Sequence, residues 1–510
     1  MRVQSAKPDY FKLAPLIVLG WCLLSFIFIP IIPVASGFGW DGVFYGKVAM
    51  NFGNMAGSID SYHANRIFPG VMIHYLLRIF YSPLSLKAVL TGYRIYNIVI
   101  LTGAAGLWVL ISKRLALSNF AGWLGFCALF INYPLLNLHF YYPALTDGTA
   151  FLLGFAMLYA YLEKKDILLL AVTMLAFFCW PAGIIAGFIL YLYSDAGRVS
   201  EYYKRKNTPV PVILLLLSPF LGFIILNFTG EIKHLIVLLG LDGRLCAKFK
   251  NPGSYDHVNL NYLINSGIIA VYLVFVFRAV LKNLDLLKFA GYNLKKRALF
   301  KLLAVALILA VLVYAKGKIY APGLATITPF AYFASYFMGL NVRFPFQFLV
   351  GQITYWGPAI ILFLLFFKDI AAQLQKAELP LLLVFLYAVL FSINSEGRPI
   401  ISFYPFLVVI LLQGIDLSAL RNRKLFVICF VAVSLFYSKI WFPAHLPASV
   451  FPDSIWTDLD KFPMQGYFMN FALFANAKMF WAHAAAAAVF STLFYFVAGM
   501  SKPGLTGGDK

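Results

Sequence analysis

Asp41 lies in Gly39-Trp40-Asp41-Gly42-Val43-Phe44-Tyr45-Gly46-Lys47, a few residues past an apolar run and flanked by a tryptophan and a glycine. A carboxylate so placed sits at a membrane-water boundary, where it can face an aqueous cavity while staying beside lipid; the plainer alternative is a solvated loop acid next to a belt aromatic. Downstream, Asp60-Ser61-Tyr62-His63-Ala64-Asn65-Arg66-Ile67-Phe68-Pro69-Gly70 leads into an amphipathic stretch in which Gly70, His74 and Arg78 share one face. His74 and Arg78 are therefore either ligands or parts of an interfacial anchor with a snorkelling arginine. Asp147, at the end of Asn137-Leu138-His139-Phe140-Tyr141-Tyr142-Pro143-Ala144-Leu145-Thr146-Asp147, heads another apolar run. It is a second candidate acid, or a residue that stabilises the helix dipole. In Asn394-Ser395-Glu396-Gly397-Arg398-Pro399 a tight turn presents an arginine whose planar fork suits phosphate, unless it pairs with Glu396. Arg94 falls inside an apolar helix, where an ionisable group needs a cavity or a partner; Asp147 or Asp41 is the expected one.

The elements that must position these residues are apolar helices. Of the 510 residues, 62% are hydrophobic and 12% charged, with a mean hydropathy of +0.82, whereas a soluble domain carries roughly a quarter charged residues. This excludes a soluble globular protein. A transmembrane β-barrel is excluded as well, because its strands alternate apolar and polar residues while these runs are apolar on every face. The expected fold class is an all-α polytopic membrane protein with about fourteen spans. They are placed at 13–35, 88–112, 118–133, 146–162, 166–179, 184–194, 209–229, 262–281, 301–315, 351–367, 379–393, 400–415, 424–441 and 478–499. The stretch 166–194 has basic flanks at both ends, so it is read as two short helices turning at Trp180-Pro181-Ala182-Gly183.

With that hairpin, Lys7, Lys12, Lys113, Arg114, the 198–206 cluster, Lys295-Lys296-Arg297, Lys368, Arg421, Arg423, Lys424 and Lys502 fall on one face, which the positive-inside rule assigns to the cytoplasm. The net charge of +21 is thus topological before anything else, and no nucleic-acid partner is expected. Residues 1–510 read as a single integral membrane domain. The long loops, 36–87, 230–261, 316–350 and 442–477, all lie outside, and 67–81 is expected to form an interfacial helix in the first of them. The five cysteines are scattered singly, so neither a disulfide framework nor a zinc site is expected. The first apolar run is too long for a signal peptide and is read as a retained first helix.

These features, in this order, resemble the membrane-embedded glycosyltransferases of the GT-C fold, and more closely the family of the GPI-anchor second mannosyltransferase with its bacterial relatives. That family's first loop reads Trp-Asp-(Gly/Ser)-x-x-Tyr followed by an aromatic-Phe-Pro segment; here Trp40-Asp41-Gly42-Val43-Phe44-Tyr45 and Ile67-Phe68-Pro69-Gly70 stand in those positions. Its later acid before a membrane helix is similar to Thr146-Asp147, and its late outer arginine to Arg398 with Pro405 downstream. The likeness covers mainly residues 36–195 and, more loosely, 390–415. The family's frequent Arg-Pro after the fifth helix is Trp180-Pro181 here, and the acid-x-acid pattern of other GT-C loops is absent.

The resemblance implies a GT-C-like bundle that takes a sugar, mannose or another hexose, from a polyprenyl-phosphate carrier to a lipid- or glycan-linked acceptor on the non-cytoplasmic face. Asp41 and Asp147 are the candidate catalytic acids. Trp40, Tyr45, Arg66, His74, Arg78, Arg94, His139, Glu396 and Arg398 are the candidate substrate-binding residues. Partners are the lipid-linked donor and membrane lipids; no cofactor is required, although a divalent metal is compatible. Competing expectations are a transporter or flippase of a lipid-linked sugar, against which the lack of internal repeats speaks, and an O-antigen polymerase or ligase. A bacterial plasma membrane of the cell envelope is expected over the endoplasmic reticulum.

Overall fold

A computed structural model describes residues 10–202, 258–319, 344–441 and 477–499, apart from 33, 40, 55–58, 61, 81–83, 283, 286–287, 289–290, 293–295, 416, 418–419 and 421. Among the described residues the chain is all helical and has no strand; an isolated bridge joins Arg198 to Glu378. Four helices are long and apolar enough to cross a membrane: Phe11–Phe28, Leu86–Arg114, Lys296–Gly317 and Ala477–Val497. A fifth candidate is the pair Asn119–Phe130 and Pro134–Tyr141, bent by 57°. The long helices turn apolar side chains outward, among them Phe28 at 74% exposed and Phe300 at 72%. Polar groups such as Asn97, Asn137, His139, Asp147 and Gln352 are buried instead. An apolar exterior around a polar interior fits a lipid surrounding.

The expectation of about fourteen spans is corrected. Most of the other apolar runs form helices of 10–17 residues, including Asp147–Leu162, Asp166–Phe177, Pro181–Leu192, Leu379–Ser392 and Tyr404–Gly414. At about 1.5 Å per residue these reach roughly 15–26 Å, short of a hydrocarbon core of about 30 Å. Hydropathy registers a continuous apolar run; it does not register where the backbone breaks. The run 351–367 shows why: Gly357, with φ +73°, separates Gln347–Trp356 from Pro358–Leu365, and Phe366 separates that from Phe367–Leu374. The proposed span 209–229 lies outside the described residues, as do nearly all of the loops 230–261 and 442–477 and residues 320–343 of the loop 316–350.

The 166–194 stretch is a helical hairpin in which Asp166–Phe177 packs against Pro181–Leu192. Trp180 is extended (φ −151°, ψ 92°) and Pro181 opens the second helix, where its missing N–H costs nothing. The 67–81 stretch holds the helix Phe68–Ile79, with Pro69, Gly70, Ile73 and His74 inward and Met72, Tyr75, Leu76 and Ile79 outward.

Two close backbone approaches set the frame of the site. A Cβ on Gly154 would collide with the backbone of Ser402, and one on Gly351 with that of Ser395. The absence of side chains there lets the Asp147–Leu162 and Gln347–Trp356 helices close onto the 395–402 segment, which carries Arg398. At the far end of the bundle a separate charged cluster holds Lys301 Nζ 2.7 Å from Asp195 Oδ2, with Arg297 Nε at 3.1 Å and Arg114 Nε 3.4 Å from Glu163 Oε1.

Candidate functional site

Arg398 leaves Gly397 in a short 3-10 turn, Arg398–Ile400, between two apolar helices. Its Nε donates to Asp147 Oδ1 and its NH2 to Asp147 Oδ2, both at 2.8 Å, and its NH1 donates to Glu396 Oε1 at 3.2 Å. Asp147 is fully buried at the first position of its helix, and Tyr355 donates its hydroxyl to Oδ1 at 3.4 Å. The fork expected to hold a phosphate is thus already filled by a carboxylate in bidentate geometry, and the Glu396 pairing is made as well. His139 is buried beside this pair, close against Gly148, and neither ring nitrogen has a hydrogen-bond partner among the described residues. Asn97 holds its backbone by donating to the carbonyls of His139 and Pro143 at 3.0 and 2.9 Å.

Asp41 precedes the helix Gly42–Asn51. It accepts from Tyr62 Oη at 3.3 Å, lies 3.8 Å from Arg66 NH1 and 3.9 Å from His63 Nε2, and keeps 28% of its side chain exposed. Burial pushes its pKa up, but the His63 contact and the charges of Arg66 and Arg398 outweigh this and hold the carboxyl well below the usual carboxylate range. His63 and Arg66 come from one 3-10 turn, His63–Arg66. The His63 ring is stacked on Phe44 (centroids 3.8 Å apart), and its Nδ1 lies 2.7 Å from Asp60 Oδ2. Burial lowers its pKa, yet Asp41 and Asp60 together raise it above the ordinary histidine value.

Trp180 joins the two halves. Arg66 is sandwiched between Tyr62 at 4.6 Å and Trp180 at 4.3 Å from the ring centroids, and Arg398 stands 5.9 Å from the same Trp180 ring. Both cations thus lie over one indole, whose negative π face favours them. No protein-family model matches the chain, and neither a curated protein nor a solved structure is significantly similar to it.

Of the residues singled out in the sequence, Asp41, Tyr45, Arg66, His139, Asp147, Glu396 and Arg398 gather in this region. Tyr45 is fully buried, 6.0 Å from the His63 ring, and its carbonyl accepts from Tyr93 Oη at 3.0 Å. Trp40 lies outside the described residues. Arg94 does not pair with either acid: its NH2 donates to the carbonyls of Ser25, Phe26 and Ile29 at 3.0, 2.7 and 2.9 Å. These carbonyls lie at the C-terminal end of the Ala14–Phe28 helix, where Ile29 N–H already donates to Ser25 O, and a cation suits that negative dipole end. His74 bonds through Nδ1 to the Ala49 carbonyl at 2.9 Å and ties two helices together, while Arg78 is exposed; neither joins the cluster.

Residues that sequence reasoning gave no role are Asp60, His63, Tyr62, Trp180 and Tyr355. His63 and Arg66 stand three residues apart, which places them on one face of a 3-10 turn, and Asp60 stands three residues before them, so that signal was readable. Trp180 carried no signal beyond its place in a turn, because its partners come from residues 66 and 398.

An apolar cavity adjoins the Arg398 turn, lined among others by Tyr272, Phe348, Gln352, Ser392, Ile400 and Leu407. Gln352 reaches from its wall to donate to the carbonyls of Ser392 and Asn394 at 3.1 and 2.8 Å, and Asn394 Oδ1 in turn accepts from Glu396 N at 2.8 Å. Among the described residues no group of three His, Cys, Asp or Glu gathers closely enough to hold a metal ion, so no residue is assigned to a divalent metal.

Proposed function

We propose that the chain is a membrane-embedded glycosyltransferase of GT-C-like architecture, moving a hexose from a polyprenyl-phosphate carrier to a hydroxyl of a lipid- or glycan-linked acceptor. The observation that carries this reading is the convergence on one tryptophan of two arginines, each beside a carboxylate, with an apolar cavity at the edge of the Arg398 turn. A lipid-phosphate donor calls for each of these: cations for the departing phosphate, a carboxylate for the acceptor proton and an apolar slot for the lipid. The site faces the non-cytoplasmic side of a bacterial inner membrane.

The two acids divide by environment. Asp147 is enclosed and both its oxygens accept from Arg398, so it holds that arginine in place. Asp41 is partly open and its cationic contacts are longer, so it is the base. The acceptor oxygen attacks the anomeric carbon as Asp41 takes its proton. The bond to the phosphate oxygen breaks, and its electron pair leaves with the polyprenyl phosphate. Arg66, gripped by ring faces, meets the developing charge, and Arg398 adds its field from behind Asp147. Direct displacement inverts the anomeric configuration.

Asp41→Asn keeps the shape and removes the base. In lipid nanodiscs with radiolabelled polyprenyl-phosphate sugar, this variant is expected to bind donor but transfer roughly 100-fold more slowly or worse. Wild-type transfer by the variant would remove Asp41 from the chemistry, and movement of the lipid-linked sugar across the bilayer with no transfer would favour a carrier.

A further inference from the structure

We infer that Asp60 and His63 form a proton relay behind Asp41, so that the proton taken from the acceptor hydroxyl comes to rest on His63. The inference rests on the glycosyl-transfer reading above. Asp60 fixes the imidazole from one side: Oδ2 lies 2.7 Å from Nδ1, while Oδ1 accepts from the backbone N–H groups of Tyr62 and His63 at 2.9 Å each. Phe44 stacks on the ring and blocks its rotation. With Nδ1–H committed to Asp60, Nε2 faces Asp41 Oδ1 across 3.9 Å. That nitrogen is buried and has no hydrogen-bond partner among the described residues. In the neutral ring this nitrogen turns a lone pair toward the carboxylate oxygen, and the proton taken up in transfer fills the gap between them.

The surroundings explain why Asp41 needs the relay. The groups facing this pair are Asp41 and Tyr45 at and within the Gly42–Asn51 helix, Asp60 and Tyr62 just before the His63–Arg66 turn and Arg66 on it, Arg398 through its charge on Asp41, and Lys316 of the Lys296–Gly317 helix through its charge on Asp60. The cations hold Asp41 ionised, which makes it a weak proton acceptor by itself. An imidazolium between two carboxylates is a better resting place for the proton. The balance is complete: the acceptor hydroxyl gives its proton to Asp41, its oxygen forms the new glycosidic bond, and the sugar-phosphate bond leaves its pair on the polyprenyl phosphate. The proton passes from Asp41 to Nε2, and the imidazolium returns it to water before the next turnover.

His63 acts through Asp41, as a positioning and relay residue, and it must start neutral. Transfer therefore climbs with pH, about tenfold per unit below a midpoint that lies above the ordinary histidine value of about 6.5. The test uses the full chain in nanodiscs with isotope-labelled histidine, the His63 resonance being identified among the seven histidines by its loss in His63→Gln. The transfer midpoint is expected to coincide with the His63 titration, and Asp60→Asn to move both to lower pH together. His63→Gln is expected to lose the pH-dependent limb and about tenfold to a hundredfold in rate. A wild-type-shaped profile in His63→Gln, or midpoints that part company in Asp60→Asn, would reduce His63 to a packing residue. If His63→Gln does not fold, His63→Asn supplies the assignment and the Asp60→Asn comparison still decides. An inactive Asp41→Asn beside a His63→Gln variant of unchanged profile overturns the relay alone, whereas absence of transfer by the wild type overturns the parent reading and the relay with it.

Discussion

A guanidinium whose Nε and NH2 are both bound to one enclosed carboxylate is a structural clamp as much as a ligand. Removing one member of a buried ion pair leaves the other charge stranded, at a cost of about 3–5 kcal/mol. Asp147→Ala is therefore expected to lower the unfolding temperature in detergent or nanodiscs well beyond Asp41→Ala, whose carboxylate is 28% exposed. An Asp147→Leu, Arg398→Met double variant should recover part of that loss, because two neutral groups replace a broken pair. Arg398→Lys keeps the charge but cannot make the bidentate contact, so transfer should fall at equal expression. Equal activity in the lysine variant would show that the clamp geometry does not matter to turnover.

At the scale of elements, the site depends on how closely helices approach. Gly154→Ala places a methyl against the Ser402 backbone, which cannot move aside as a flexible side chain can. The expected cost is about 1–3 kcal/mol of overpacking, read as a lower unfolding temperature, together with weaker transfer because the 395–402 segment shifts away from Asp147. Gly20→Ala, where nothing lies within 4 Å, is the matched control and should leave both unchanged. Arg94 shows the same dependence on neighbours: its guanidinium closes the end of the Ala14–Phe28 helix through three carbonyls.

Across the whole molecule, the catalytic candidates and the Asp195–Lys301–Arg297 cluster occupy opposite ends of the bundle. The Asp147–Leu162 helix runs from Asp147 to the neighbourhood of the Glu163–Arg114 pair. Exposed Lys47 near the first end and exposed Arg297 near the second are suitable reporters. Lys47→Cys should react with an impermeant maleimide added outside intact cells, and Arg297→Cys only after permeabilisation. Labelling of both from one side would overturn the proposed orientation and with it the non-cytoplasmic placement of the site.

Composition and periodicity were enough to establish an apolar helical protein, since the number of charged residues and the lack of alternation leave no other way to satisfy the backbone in lipid. They also marked Asp41, Asp147 and Arg398, because an acid or arginine beside an apolar run is uncommon and costly. The helical hairpin was legible in the same way, from Trp180-Pro181 and its two basic flanks. Span number was not legible, because hydropathy averages over backbone breaks such as those at Gly357 and Phe366. Nor could any local pattern show that Arg398 binds Asp147, that Arg94 closes a helix end, or that Trp180 meets two arginines. Those contacts join residues 251, 65 or more, and 114 or more positions apart. A pairing at such separation exists only once packing has brought distant helices to within a few ångströms of each other.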